Sequence, residues 1–244
     1  MTTISALAFV PSAPLLVPEV AGGSAGLDED LREASRAAVR RLTASAADGV
    51  VVVAGWSAGA SWPQDATWSF DGFGVAARPA GEGGQLPWPL GIGAWLLDEA
   101  GWDGPRGYLT VGPDADTHAA IAFERAAVLV VGDGSARRTE KAPGHLDSRA
   151  ESFDAAIAAA LGHGDAAALG RIDLALADEL MCAGAPTWRW LSSVVGTDPV
   201  RAAELSVETA PYGVGYFVAY WQLMAADLIA AGDDVSEPPS GQHC

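Results

Sequence analysis

The chain has 244 residues, half of them apolar, and a formal net charge of −17. That length suits one large α/β domain, and the apolar fraction supports a sizeable core. The acidic balance argues against duplex nucleic acid and anionic membrane as partners, because their phosphates repel such a surface. No apolar run reaches the roughly 18 residues of a spanning helix, and no charged leader precedes an apolar segment. A cytoplasmic location is therefore expected. Cys182 and Cys244 are too few for a disulfide framework and lack metal-ligand spacing, so they read as two unrelated thiols.

The first predicted element is a buried strand over Ile4 to Val10. It empties into the Pro-rich loop of "FVPSAPLLVPEV", which contains Ser12 and no charge before Glu19. Leu27, Leu31, Ala34, Ala38 and Leu42 then fall on one face of a helix. Acidic residues 28 to 30 crowd its start and Arg40 and Arg41 its end, which suits the helix dipole. A second strand covers Val50 to Ala54, followed by "GWSAGASW" with Trp56 and Trp62. A second helix includes Gly93 to Glu99, and a third strand covers Tyr108 to Val111. A further helix is expected over Asp116 to Arg125, then a strand over Ala127 to Val131. From Arg149 to Val195 the pattern is mostly helical. Val200 to Glu208 and Gly215 to Gln222 are ambiguous between strand and helix. Residues 232–244 read as a polar, flexible tail. The whole predicts one domain over residues 1–231. Its fold is three-layer α/β, with a central mostly parallel or mixed sheet flanked by helices.

The most polar stretch, "GDGSARRTEKAPGHLDSRAE", directly follows the strand ending at Val131. It lies outside the carboxyl end of a central strand, the usual ligand position in open α/β sheets. Asp133, Ser135, Arg137, Arg138, Lys141 and His145 are its candidate binding residues, either for a small anionic molecule or as the seat of a metal-independent activity. The plainer alternative is a solvated loop whose charges pair locally. "APYGVGYFVAYW", with Tyr212, alternates glycine and aromatic residues. It reads as close backbone approach to a site or as ordinary aromatic core. Trp56 reads as a pocket wall or as packing. No phosphate-binding GxxxxGK[ST] loop is present. "GWSAG" fits a GxSxG nucleophile elbow, but Pro63 and a possible strand follow where the elbow needs a helix. No two of His118, His145, His163 and His243 share a helix face at i,i+4.

The order of "VPSAPLLVPEVAGG", "GVVVVAG", "VLVVGDGSA", "FDAAIAAALGHGDAAAL" and "APYGVGYFVA" resembles the B-subunit superfamily of class III extradiol ring-cleavage dioxygenases. This is the LigB-like fold shared with Memo-type proteins, and the chain looks most like an actinobacterial branch of it. The resemblance runs from about Ile4 to Gln222, with Gly55 to Gly107 unmatched. It implies an Fe(II) site of two His and one Glu, with a further His as acid and base. Carried over by position, each of these is missing. Ser12 stands where the first ligand His is expected in a "PHPPLL"-like context. Trp56 or Ser57 stands at the second, Ala136 at the acid/base His, and Ala185 and Pro186 near the Glu. Serine and tryptophan do not replace imidazole on ferrous iron. The expectation is a metal-free relative with no cofactor. It would bind a small molecule or protein partner through a cleft lined by Ser12, Trp56, Asp133, Ser135 and part of Gly213 to Tyr216. Fe(II) is expected only if the dioxygenase activity is retained. Homo-oligomerisation stays open.

Overall fold

In the computed structural model, the described residues are 2–22, 27–115, 121–196 and 199–223. Seven strands form one mixed sheet: β1 (Thr3–Val10), β2 (Gly49–Gly55), β3 (Ala60–Trp62), β4 (Arg106–Val111), β5 (Arg125–Val131), β6 (Val200–Thr209) and β7 (Tyr216–Leu223). Their spatial order is β3-β4-β2-β5-β1-β7-β6. The four central strands β4, β2, β5 and β1 are mutually parallel, and the outer strands pair antiparallel. The α-helices among the described residues are α1 (Pro18–Ala21), α2 (Leu27–Thr43), α3 (Trp88–Glu99), α4 (Ala150–His163), α5 (Ala166–Gly170), α6 (Leu174–Glu179) and α7 (Ala185–Val195).

Strand residues alternate between two cores. Val50, Val52, Ala54, Ala127, Leu129 and Val131 face one core, which α2 and α3 cover. Val51, Val53, Ala126, Val128 and Val130 face the other, which α4 to α7 cover. Both faces of β2 and β5 are therefore dry, which explains their unbroken valine-rich sequences. The edge strand β6 instead alternates half-buried and exposed positions. That half-buried alternation made its sequence ambiguous, and both uncertain C-terminal segments are strands.

In its described part, residues 121–125, the helix expected over Asp116 to Arg125 is not found. Residues 121–124 are irregular and Arg125 already belongs to β5, paired with Thr3 and tied to Asp48. Ile121 and Phe123 pack against the second core from this irregular segment. Residues 116–120, with His118, lie outside the described residues, as does the C-terminal segment 224–244 with His243 and Cys244. Among the described residues, no helix is long and apolar enough to cross a membrane.

The connections create a switch point. The helices following β1 and β2 lie over the first core, whereas those following β5 lie over the second. Chain segments leaving β1 and β5 at their carboxyl ends thus diverge to opposite faces. Such divergence opens a crevice there.

Candidate functional site

Ser12 and Asp133 meet at this switch point. Val10 ends β1 beside Val131, which ends β5, so two residues further on each chain stand face to face. The Ser12 backbone N–H donates to Asp133 Oδ1 at 2.7 Å and its hydroxyl donates to Oδ2 at 2.7 Å. Ser12 is buried and Asp133 half-buried. Burial pushes the Asp133 carboxyl up to about 6, and the two Ser12 bonds pull against that rise without cancelling it. The Asp133 carbonyl accepts from the Gly184 N–H at 2.8 Å and from the Cys182 thiol at 3.4 Å. The start of α7 is thereby fastened to the end of β5.

A second clamp of the same form follows at once. The Ser135 N–H and hydroxyl each donate to the Asp154 carboxylate, at 2.8 and 2.8 Å. Asp154 is fully buried on α4, and Arg138 donates to its Oδ2 at 3.2 Å. Burial raises the Asp154 pKa, with Ser135 and Arg138 opposing. Gly134 and Gly215 complete the lattice: Gly134 N–H donates to Gly215 O at 2.7 Å, and Gly215 N–H to Ser135 O at 2.9 Å. The loop after β5 is thus bound to the loop before β7.

The open part of the crevice lies to the other side, beyond the ends of β2 and β4. A pocket of about 740 Å³ is walled there by Trp56, Pro113, Leu174, Met181 and Pro186, with Asp114 and Asp178 as its acidic groups. Trp56 is 41% exposed and Met181 47% exposed, and both contribute to this pocket. Met181 also has a positive φ of 55°, a strained backbone for a side-chain-bearing residue. Gly55 forms part of the wall because α7's approach leaves no room there: a Cβ would sit 2.6 Å from the Ala183 carbonyl oxygen.

The nine sequence candidates fall into six environments. Ser12 and Asp133 form the first clamp, and Ser135 and Arg138 the second. Trp56 alone lines the large pocket. Arg137 packs beside Gly144 and Met181, and its Nε is buried without a hydrogen-bond partner among the described residues. Lys141 and Tyr212 line a separate depression with Thr139, Glu140 and Pro211. His145 is exposed, and its Nδ1 donates to the Glu140 carbonyl at 2.8 Å. The three loop cations thus have three different sets of neighbours. Arg138 additionally reaches Glu151 at 3.7 Å. The GxSxG match leads from β2 into β3, not into a helix, and Ser57 is exposed.

Sequence reasoning missed Asp154, Asp114, Asp178 and Met181. Asp154 had a usable signal: it lies at helical spacing among Ala150, Ile157, Ala158 and Leu161, all buried. A carboxylate on an otherwise apolar face needs buried donors. The pocket residues had no such signal, since they come from three segments brought together by packing.

The residues here do not fit the iron site that the dioxygenase resemblance implies. Ser12's donors are both committed to Asp133, and Trp56, Ala136, Ala185 and Pro186 offer no ligand atoms. Among the described residues, no group of three or more His, Cys, Asp or Glu could hold a metal ion. His163 caps the end of α4, its Nδ1 donating to Ala159 O at 2.7 Å. No protein-family model matches the chain, and no curated protein matches it.

Proposed function

We propose that the chain is a metal-free relative of the LigB-like proteins that binds a small molecule in the crevice beyond β2 and β4. The observation carrying this reading is the pocket of about 740 Å³ that holds the exposed faces of Trp56 and Met181. Ligand sites in open α/β sheets occupy this position, and a volume of that order matches a small organic ligand. The Ser12–Asp133 clamp supports the loss of iron chemistry, because it closes the place where a first ligand would project. The test has two arms. After Fe(II) loading and desalting, elemental analysis should find far less than one iron per chain. A thermal-shift screen of small organic molecules should find stabilisers whose effect is lost in Trp56→Ala. Tightly held stoichiometric iron, or stabilisers indifferent to Trp56, would overturn the reading.

A second reading is a metal-independent site for a small organic acid or phosphate on the loop 132–147. It is favoured by Lys141, which forms no ion pair among the described residues and borders a depression of about 570 Å³. Inorganic phosphate should then raise the melting temperature of the parent and not of Lys141→Ala.

A further inference from the structure

We infer that the pocket beside Trp56 takes an organic cation carrying an apolar body. This rests on the crevice reading above and adds the ligand's charge. Among the described residues, the lining contains two carboxylates, Asp114 and Asp178, and no Lys, Arg or His. Cys182, the other ionisable side chain among the described lining residues, is buried and its thiol stays neutral because burial pushes its pKa up. An anion entering this space would meet two negative charges on a protein of net charge −17. A cation would meet attraction at both scales.

The aromatic wall points the same way. Three other aromatic rings carry an arginine: Arg78 lies 3.4 Å over Trp68, Arg41 4.0 Å over Tyr220, and Arg36 5.7 Å from the Trp95 centroid. Trp56 is more than a third exposed and has no such cation among the described residues. An indole face is the best aromatic partner for an ammonium group, and its negative quadrupole is uncompensated here. Met181 adds a polarisable, adaptable surface for the apolar part of the ligand. The Pro113 and Pro186 rings add stiff walls that lose no rotamer entropy on binding.

The experiment uses three probes that share a phenyl ring: 2-phenylethylamine (cationic at neutral pH), 2-phenylethanol and 3-phenylpropionate. Binding to the full chain is followed by NMR through the Trp56 indole N–H, assigned with a Trp56→Leu variant. The expected order is amine, then alcohol, then carboxylate, with the amine's affinity falling as salt is added. Asp114→Asn and Asp178→Asn should each weaken the amine about threefold and leave the alcohol unchanged. Trp56→Leu, followed by calorimetry, should weaken the amine about fivefold. If alcohol and amine bind equally, or the Asn variants leave the amine unaffected, the cation inference falls while the crevice reading stands. If none of the three perturbs the Trp56 signal, both fall.

Discussion

Ser12 grips the Asp133 carboxylate with both of its donors, one to each oxygen, at 2.7 Å. The partners are 121 residues apart and meet because β1 and β5 are parallel neighbours in register. The grip does not fully offset desolvation, so the folded-state pKa of Asp133 stands at about 6, above the ordinary aspartate value of 3.8. Between those values the folded chain binds more protons than the unfolded chain at this site. Stability from this group is therefore present below the unfolded pKa and lost as pH rises through the folded one. Urea unfolding should show about 3 kcal/mol lost to this group between about pH 4 and 7. Asp133→Asn should flatten that part of the profile. A variant with the parent's slope would show that Asp133 does not titrate in this window.

The second clamp makes a different prediction. Asp154 is fully buried, and Arg138 is its ion-pair partner, with a side chain 19% exposed. Removing one member of a buried pair strands the other's charge. Arg138→Met should destabilise the fold by about 2–4 kcal/mol at neutral pH. The loss should shrink on acidification, as Asp154 takes up a proton whose binding burial already favours. Lys141→Met, on the same loop but exposed, should change stability by no more than about 0.5 kcal/mol. Equal effects in urea titrations would contradict the assignment of Arg138 to the core and Lys141 to the surface.

The reach of the sequence can be judged from these same elements. Unbroken runs such as "VVVVA" and "AAVLVV" require cover on both faces, and β2 and β5 have that cover as neighbours inside the sheet. The amphipathic spacing of α2 was equally plain. The helix expected over Asp116 to Arg125 fails in its described part, 121–125, where the short apolar run is one that helix and strand share. For the site, a strand emptying into a polar or Pro-rich loop located Ser12, Asp133 and Ser135 at one end of the sheet. Their pairing was not legible, because register between β1 and β5 decides it. The pocket was still less so. Its walls from α6 and α7 depend on how closely a helix start can approach a strand end, and sequence spacing carries no measure of that distance.

Cys182 offers a chemical check on burial. Its thiol is buried, donates to the Asp133 carbonyl and has a pKa driven upward, first by desolvation and then by the nearby Asp154 charge. Thiolate is the reactive form, so little of it should exist at neutral pH. In a Cys244→Ser background, Ellman's reagent should label Cys182 only on unfolding. Prompt labelling of the native protein would mean that the α7 start opens readily, and the pocket wall with it.

That wall depends on two glycines in contact. A Cβ on Gly132, just past β5, would lie 2.6 Å from the Gly184 Cα, a distance that real Cβ contacts essentially never show. Backbone cannot yield as a flexible side chain does, so Gly132→Ala must push the start of α7 away from β5. Two consequences follow from the geometry. The Gly184 N–H to Asp133 O bond at 2.8 Å is stretched, and Ala183 and Pro186 shift with it, altering the pocket. Overpacking of this kind costs about 1–3 kcal/mol. Gly107 is the control, since it lies within β4 and a Cβ there would meet nothing within 4 Å. Gly107→Ala should stay within about 0.5 kcal/mol of the parent. Both variants can be compared by urea unfolding and by the Trp56 indole N–H signal. Gly132→Ala should lower stability and move that signal, and Gly107→Ala should do neither. Should the two variants behave alike, the close seating of α7 on β5 is wrong, and the pocket's wall must be held by something else.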